Sequence, residues 1–161
     1  MAVLRRHDPR LRALASRLLG GGRDGMDDAL QDAYVRAFQA LPQFRAEADI
    51  GTWLYRITYN TCIDHLRRAA RQPDPVDTAD AAWAPALQVR GPEHAVAAAD
   101  IARRALAALP PEQRATVLLV DGEGFDNQAA ADILGVAVGT VGSRLSRARS
   151  EIRRLIGEDY R

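Results

Sequence analysis

The chain has 161 residues, is 47% apolar and carries a formal net charge of +1, enough apolar matter for one large core or two small ones. No apolar run approaches the length that spans a bilayer, and the opening MAVLRRHDPR is not followed by an apolar stretch of signal length; membrane insertion and export are excluded, and a cytoplasmic location is expected. The lone cysteine, Cys62, excludes an internal disulfide and a cysteine-based zinc site, and His7, His65 and His94 have no ligand spacing, so neither metal nor cofactor is expected.

Sustained period-two apolar runs are missing, and helical periodicity takes their place. Leu11, Leu14, Ala15, Leu18 and Leu19 mark one face of a first helix, which Gly20-Gly21-Gly22 ends. A second, with Leu30, Tyr34, Ala37, Phe38 and Leu41 on its apolar face, stops near Pro42. A third starts near Thr52 as its N-cap and runs through Leu54, Ile57, Ile63 and Leu66 to about Arg71. Residues 72–92 then hold four of the eight prolines and three aspartates with no amphipathic face, which reads as a flexible acidic linker. Helices resume near Glu93, where Ile101, Ala105 and Leu109 share a face that ends at Pro110-Pro111. Pro111 suits the first turn of the next helix, which carries Val117, Leu118 and Val120 and ends at Gly122 and Gly124. A short helix over 127–134, a Gly135 turn and a long helix to about Ile156 complete the chain. The predicted fold class is all-α: two small helical domains, 1–71 and 93–161, joined by the flexible acidic linker 72–92, the C-terminal one a helix-turn-helix.

Charge is unevenly spread over this frame. Residues 1–23, 53–72 and 135–161 are net basic, the stretches between them are net acidic, and all 22 basic residues are arginine. In the last helix Val141, Leu145, Ala148, Ile152 and Leu155 form one apolar stripe. Ser143, Arg144 and Arg147 lie off it, and Arg149 and Arg154 add charge around it. A helix that packs on a short partner across a glycine turn and turns cations outward has the layout needed to read DNA. The helix over 52–71 differs: Trp53, Tyr55 and Tyr59 alternate with Arg56, Asn60, His65, Arg67 and Arg68. Rings that stack on bases and cations that hold phosphates suit single-stranded DNA.

The string LPPEQRATVLLVDGEGFDNQAAADILGVAVGTVGSRLSRARSEI resembles the C-terminal domain of the sigma factors of bacterial RNA polymerase, in particular the extracytoplasmic-function group. MDDALQDAYVRAFQALPQFRAEADIGTWLYRITYNTCIDHLRR, residues 26–68, resembles the promoter-melting domain of the same family. Two motif sets in the right order cover nearly the whole chain outside the linker. The resemblance implies that Gly139, Thr140, Ser143, Arg144 and Arg147 lie at or near the minus-thirty-five element, with Arg149 adding charge there. It implies that the 52–71 helix and the loop from Phe44 to Gly51, Arg45 included, meet the minus-ten element, with Asn60 near a base pocket. Asp28, Gln31, Asp32 and Arg36 occupy positions that dock on core RNA polymerase. The implied partners are core RNA polymerase, promoter DNA and an anti-sigma factor. Ala137, where a capping serine is common, and Gly142, where a longer side chain is common, depart from the pattern and predict a weakly binding isolated domain.

The alternative, a helix-turn-helix regulator that acts without docking on core polymerase, accounts for residues 128–156 but leaves the DALQDAYVRAF and TWLYRITYN strings unexplained. An enzyme is not expected, because no phosphate-binding glycine loop and no nucleophile–base constellation is present.

Overall fold

A computed structural model describes residues 2–20, 23–45, 49–71 and 93–159. The linker expected at 72–92, with Trp83, lies outside the described residues.

Helix α1 (Ala2–Leu19) begins well before its apolar stripe and buries Leu11, Leu14, Ala15 and Leu18. Gly20 ends it at φ +77, a conformation that favours glycine. Helix α2 (Arg23–Ala40) turns the small stripe Ala29, Leu30, Ala33 and Ala37 inward, which lets α1 and α3 approach closely. Phe38 and Leu41, expected on that face, are 51% and 47% exposed. Phe38 sits about 100° around the helix from Ala37, and Leu41 has left the helix for a 3-10 turn over Leu41–Gln43.

Helix α3 (Ile50–Arg71) is the long element of this half. Its N-terminus is capped by Asp49 rather than Thr52. The Asp49 Oδ2 accepts from the amides of Gly51 at 2.9 Å and Thr52 at 3.2 Å, satisfying two donors that a helix start leaves free.

In the second half α4 (Glu93–Ala108) leads through Pro110 to α5 (Pro111–Val117), with Pro111 at the first helical position. A π-helical turn, Leu118–Gly122, carries the chain on to Gly124, whose φ is +79. Helix α6 (Asn127–Leu134) is capped by Asp126, whose side chain accepts from Ala129 N at 2.7 Å, and ends at Gly135 with φ +66. Helix α7 (Val138–Asp159) buries Val141, Leu145 and Ala148 against α4, α5 and α6.

The sequence left open how the two halves sit. They pack on each other: α3 lies along α6, the end of α1 meets α4 and α5, and one apolar cluster runs through both halves. Among the described residues no helix is long and apolar enough to cross a membrane.

Candidate nucleic-acid and polymerase interfaces

The α7 surface follows from its buried stripe. With Val141, Leu145 and Ala148 inward, Ser143 and Arg147 are exposed and Thr140 and Arg144 partly so, all on one flank. Gly139 is exposed beside them, and neither it nor Gly142 has another atom within 4 Å of where a Cβ would stand. The backbone can therefore approach a ligand closely along this edge. Ser143 Oγ donates to the Thr140 carbonyl at 3.0 Å. Arg149 is not part of that flank. It lies about 160° around the helix from Arg147 and forms a fork on Asp121 at 2.6 and 3.1 Å. The first helical turn has no side-chain cap, since Ala137 offers only its carbonyl, to Thr140 N at 2.9 Å.

Helix α3 shows three strips. Leu54, Thr58 and Thr61 face α1 and α2 and are buried. At the edge of that strip His65 Nε2 meets Asp32 Oδ2 at 2.7 Å, and Asp64 receives Arg36 at 2.9 Å. Two residues expected to touch DNA or polymerase, His65 and Asp32, are thus bonded to each other, and Arg36 is bonded within the fold. These pairs are half-exposed and stabilise by no more than about 1 kcal/mol each.

The second strip is open to solvent: Arg56, Asn60, Arg67 and Arg68 are exposed. Trp53 is half-buried, with Phe44 at a ring distance of 5.0 Å and a tilt of 52°. Arg45, at the edge of the described loop, is exposed.

The third strip faces the C-terminal half. Tyr55 and Tyr59 are only 2% and 6% exposed. The Tyr55 hydroxyl donates to Glu123 Oε2 at 2.7 Å, and its ring stands edge-on to Phe125 at 4.9 Å. Burial, then the Glu123 bond, push the Tyr55 hydroxyl's pKa up. Burial also raises that of Tyr59; nearby Glu112 adds to the effect, and Arg144 of α7 and Arg67 of α3 oppose it. Cys62, one turn on from Tyr59, is fully buried, and its thiol is pushed up to about 12 by desolvation.

On α2, Asp28 and Gln31 are exposed and share a face with Val35 and Phe38, which are half-exposed. A shallow groove between this face and Arg12 of α1 is lined by Leu30, Gln31, Tyr34 and Gln39. Asp8 accepts from Arg12 at 3.0 Å and from the Tyr34 hydroxyl, and Arg12 also reaches Asp27 at 3.1 Å; these bonds tie α1 to α2. Sequence reasoning missed Val35. Its signal was there, because residues 28, 31, 35 and 38 recur at helical spacing off the Ala29–Leu30–Ala33–Ala37 stripe.

Sequence reasoning also passed over Arg114. Its guanidinium is buried and donates to four carbonyls: Leu106 at 2.9 Å, Ala107 at 2.8 Å, Leu109 at 3.0 Å and, across the seam, Leu18 at 2.7 Å. Those oxygens end α4 and α1, so one cation serves the negative ends of two helices. An arginine ahead of the run ATVLLV was the only hint.

Two family models match this chain: Sigma-70 region 2 over residues 3–72 and Sigma-70 region 4 over residues 99–152. The extracytoplasmic-function sigma factor SigM of Mycobacterium tuberculosis is 42% identical over 156 residues, covering 96% of this chain and 76% of SigM. The sigma-E factor of Escherichia coli is 30% identical, over 91% of this chain and 81% of its own length. Among solved structures, the sigma factor RpoE of Bartonella quintana, in complex with the anti-sigma factor NepR, is similar with a TM-score of 0.73. Identity is 25%, with 97% of this chain and 95% of that one covered. CnrH, in complex with the cytosolic domain of CnrY, has a TM-score of 0.69 and 28% identity, over 98% of this chain and 87% of that one. The chain belongs to the extracytoplasmic-function sigma factors of bacterial RNA polymerase. Sigma factors are non-catalytic subunits that direct the polymerase to promoters.

Proposed function

We propose that residues 1–71 and 93–161 are the two working units of this sigma factor, joined through residues 72–92. It acts in the cytoplasm by binding rather than by catalysis. Helix α2 docks on core RNA polymerase through Asp28, Gln31, Asp32 and Arg36, with Val35 and Phe38 as the apolar centre of the contact. What supports this is a half-exposed apolar pair set among exposed polar side chains, the usual composition of a protein-binding surface.

Helix α3 and the loop before it hold the opened strand at the minus-ten element. Arg45, Arg56, Arg67 and Arg68 hold phosphates, Asn60 meets a base edge and the half-buried Trp53 offers a ring, whereas Tyr55 and Tyr59, expected to do the same, are buried; His65 lies at the margin, held by Asp32. Helix α7 enters the major groove of the minus-thirty-five element with Gly139, Thr140, Ser143, Arg144 and Arg147 on the reading flank and Arg149 towards the backbone. An anti-sigma factor is the expected regulator; the support is a structural neighbour that is a sigma factor bound to one.

The observation that carries the proposal is the presence in one chain of two outward cationic strips, on α3 and on α7, beside an exposed docking face on α2. A regulator acting without polymerase needs the α7 strip alone. The test is binding of the tagged full chain to purified core polymerase without DNA. Stoichiometric binding that Phe38→Glu weakens at least tenfold supports the reading. A folded chain that core polymerase does not retain contradicts it and favours the plain helix-turn-helix regulator.

A further inference from the structure

We infer that the cleft between the start of α1 and the start of α3 is a phosphate-binding site, built on residues of α1 that no surface described above uses. Val3, Arg6, His7 and Arg10 of α1, with Asp49 and Ile50, enclose about 510 Å³. Arg6 and Arg10 stand one helical turn apart, as do Val3 and His7, so the four share the flank of α1 that looks onto the start of α3. The opposite flank carries Asp8 and Arg12, whose bonds with Tyr34 and Asp27 tie α1 to α2.

The floor of the cleft is fixed. Asp49 Oδ2 is held by the amides of Gly51 and Thr52, and the half-buried His7 ring stands against Gly51. A Cβ at Gly51 would lie 2.7 Å from Asp49 Oδ2 and 3.0 Å from His7 Cε1, so the missing side chain is what lets the imidazole reach the cap. The cations above it are open. Arg6 and Arg10 are exposed, and among the described residues neither has a hydrogen bond or an ion pair. Asp49 is the one carboxylate in the wall, and Asp8 is engaged on the far flank. Like charges one turn apart work against a helix, so what the pair lacks is an anion. Two guanidinium forks and an imidazole on one flank match an anion with several oxygens and more than one charge, a phosphate rather than a carboxylate. The volume exceeds a phosphate alone, and Val3 and Ile50 give an apolar edge to the sugar or base it carries.

Two sources supply such a group: the opened promoter strand and a free phosphorylated compound. The strand fits by continuity, because Asp49 and Ile50 end the loop read above as meeting the minus-ten element; that source rests on that reading, and the free compound does not. The test compares the parent with Arg6→Ala, Arg10→Ala and Arg5→Ala, each of which removes one charge. Arg5 is exposed on the same helix but outside the cleft. In the first arm the full chain is titrated with inorganic pyrophosphate and the histidine ring protons are followed by NMR, with His7→Gln identifying the His7 signal. A saturable shift of that signal alone is expected, weakened about fivefold or more by Arg6→Ala and by Arg10→Ala and less than about twofold by Arg5→Ala. In the second arm the full chain with core polymerase opens a fragment that carries a start site mapped with the parent, and permanganate-reactive thymines are counted against salt. Arg6→Ala and Arg10→Ala are expected to lower opening about fivefold and to flatten the log–log salt slope by the share of one single-stranded phosphate, about 0.7, with Arg5→Ala like the parent.

A response in both arms, or in the second alone, assigns the strand as the source; a response in the first alone assigns a free phosphorylated compound. No shift of His7 together with unchanged opening in Arg6→Ala and Arg10→Ala overturns the inference. So does an equal effect of Arg5→Ala in the arm that responds, because the attraction would then belong to the charge of α1 at large and not to the cleft. If Arg10→Ala loses helical circular dichroism, Arg10→Gln takes its place. If the parent opens no mapped promoter with core polymerase, the promoter-directing reading fails instead, and the pyrophosphate titration still decides the site.

Discussion

Replacing Arg114 by alanine is expected to cost more stability than any other single arginine change among the described residues. The side chain uses four of its five N–H donors on carbonyl oxygens, and the bonds to Leu18 and Leu109 are fully buried. Burial lowers the pKa of the guanidinium, and among the described residues its bonds go to carbonyls at two helix ends rather than to a carboxylate, so those carbonyls are its compensation. Without it the Leu106 and Ala107 carbonyls recover water. The two buried acceptors do not, and each costs about 1–3 kcal/mol when left unmade. The expected loss is about 4 kcal/mol, a large share of the roughly 5–15 kcal/mol typical of a folded domain. Arg114→Lys keeps the charge but concentrates it on one nitrogen, which cannot reach both helix ends; about half the loss is expected. Urea unfolding followed by helical circular dichroism measures both. An alanine variant within about 1 kcal/mol of the parent, at an unchanged denaturant slope, would show that the four carbonyls do not depend on this side chain.

Other outcomes follow from the same geometry. Gly142→Ala, at an exposed helical site with no atom within 4 Å of the new Cβ, stabilises by about 0.5–1 kcal/mol, and Ala137→Ser adds about 1 kcal/mol by capping α7; a thermal midpoint that falls in either variant contradicts this. Stability declines above about pH 9. Cys62, at about 12, and the buried Tyr55 and Tyr59 hold their protons in the fold at pH values where the unfolded chain releases them. Their contribution is whole below the unfolded values and is lost as pH rises through the folded ones. A urea midpoint equal at pH 7.5 and 10 would sink this, and Cys62→Ala should remove the part that begins at the lowest pH. Arg147→Ala weakens binding to a promoter duplex by about 1–3 kcal/mol, measured as anisotropy against salt, whereas Arg149→Ala, already engaged by Asp121, weakens it less. The reverse order would show that the reading flank of α7 is misassigned.

The individual helices were legible because their signals are local. The Gly20 and Gly135 stops, Pro111 at a helix start and the Val141–Leu145–Ala148 stripe depend on a few neighbouring residues, and each fell where the sequence pattern put it. Local chemistry displaced one reading: Asp49 rather than Thr52 is the cap because its carboxylate reaches two amides. Tertiary packing displaced another: Phe38 is left outside because Ala33 and Ala37 permit closer helix approach than a ring would. The seam was not legible at all. Tyr55 meets Glu123 across 68 positions and Arg114 meets Leu18 across 96, and no pattern within one helix encodes such a pairing. Consequently Tyr55 and Tyr59 read as rings offered to DNA, while the fold holds them inside.

That this chain directs polymerase to promoters is measured by sequencing transcript 5′ ends, with no promoter sequence assumed. Core RNA polymerase transcribes host genomic DNA with and without the full chain. The expected result is a small set of sharp start sites that need the chain, that share two upstream sequence boxes at a fixed spacing, and that vanish with Phe38→Glu. The same scattered starts with and without a folded chain that binds core polymerase would contradict it.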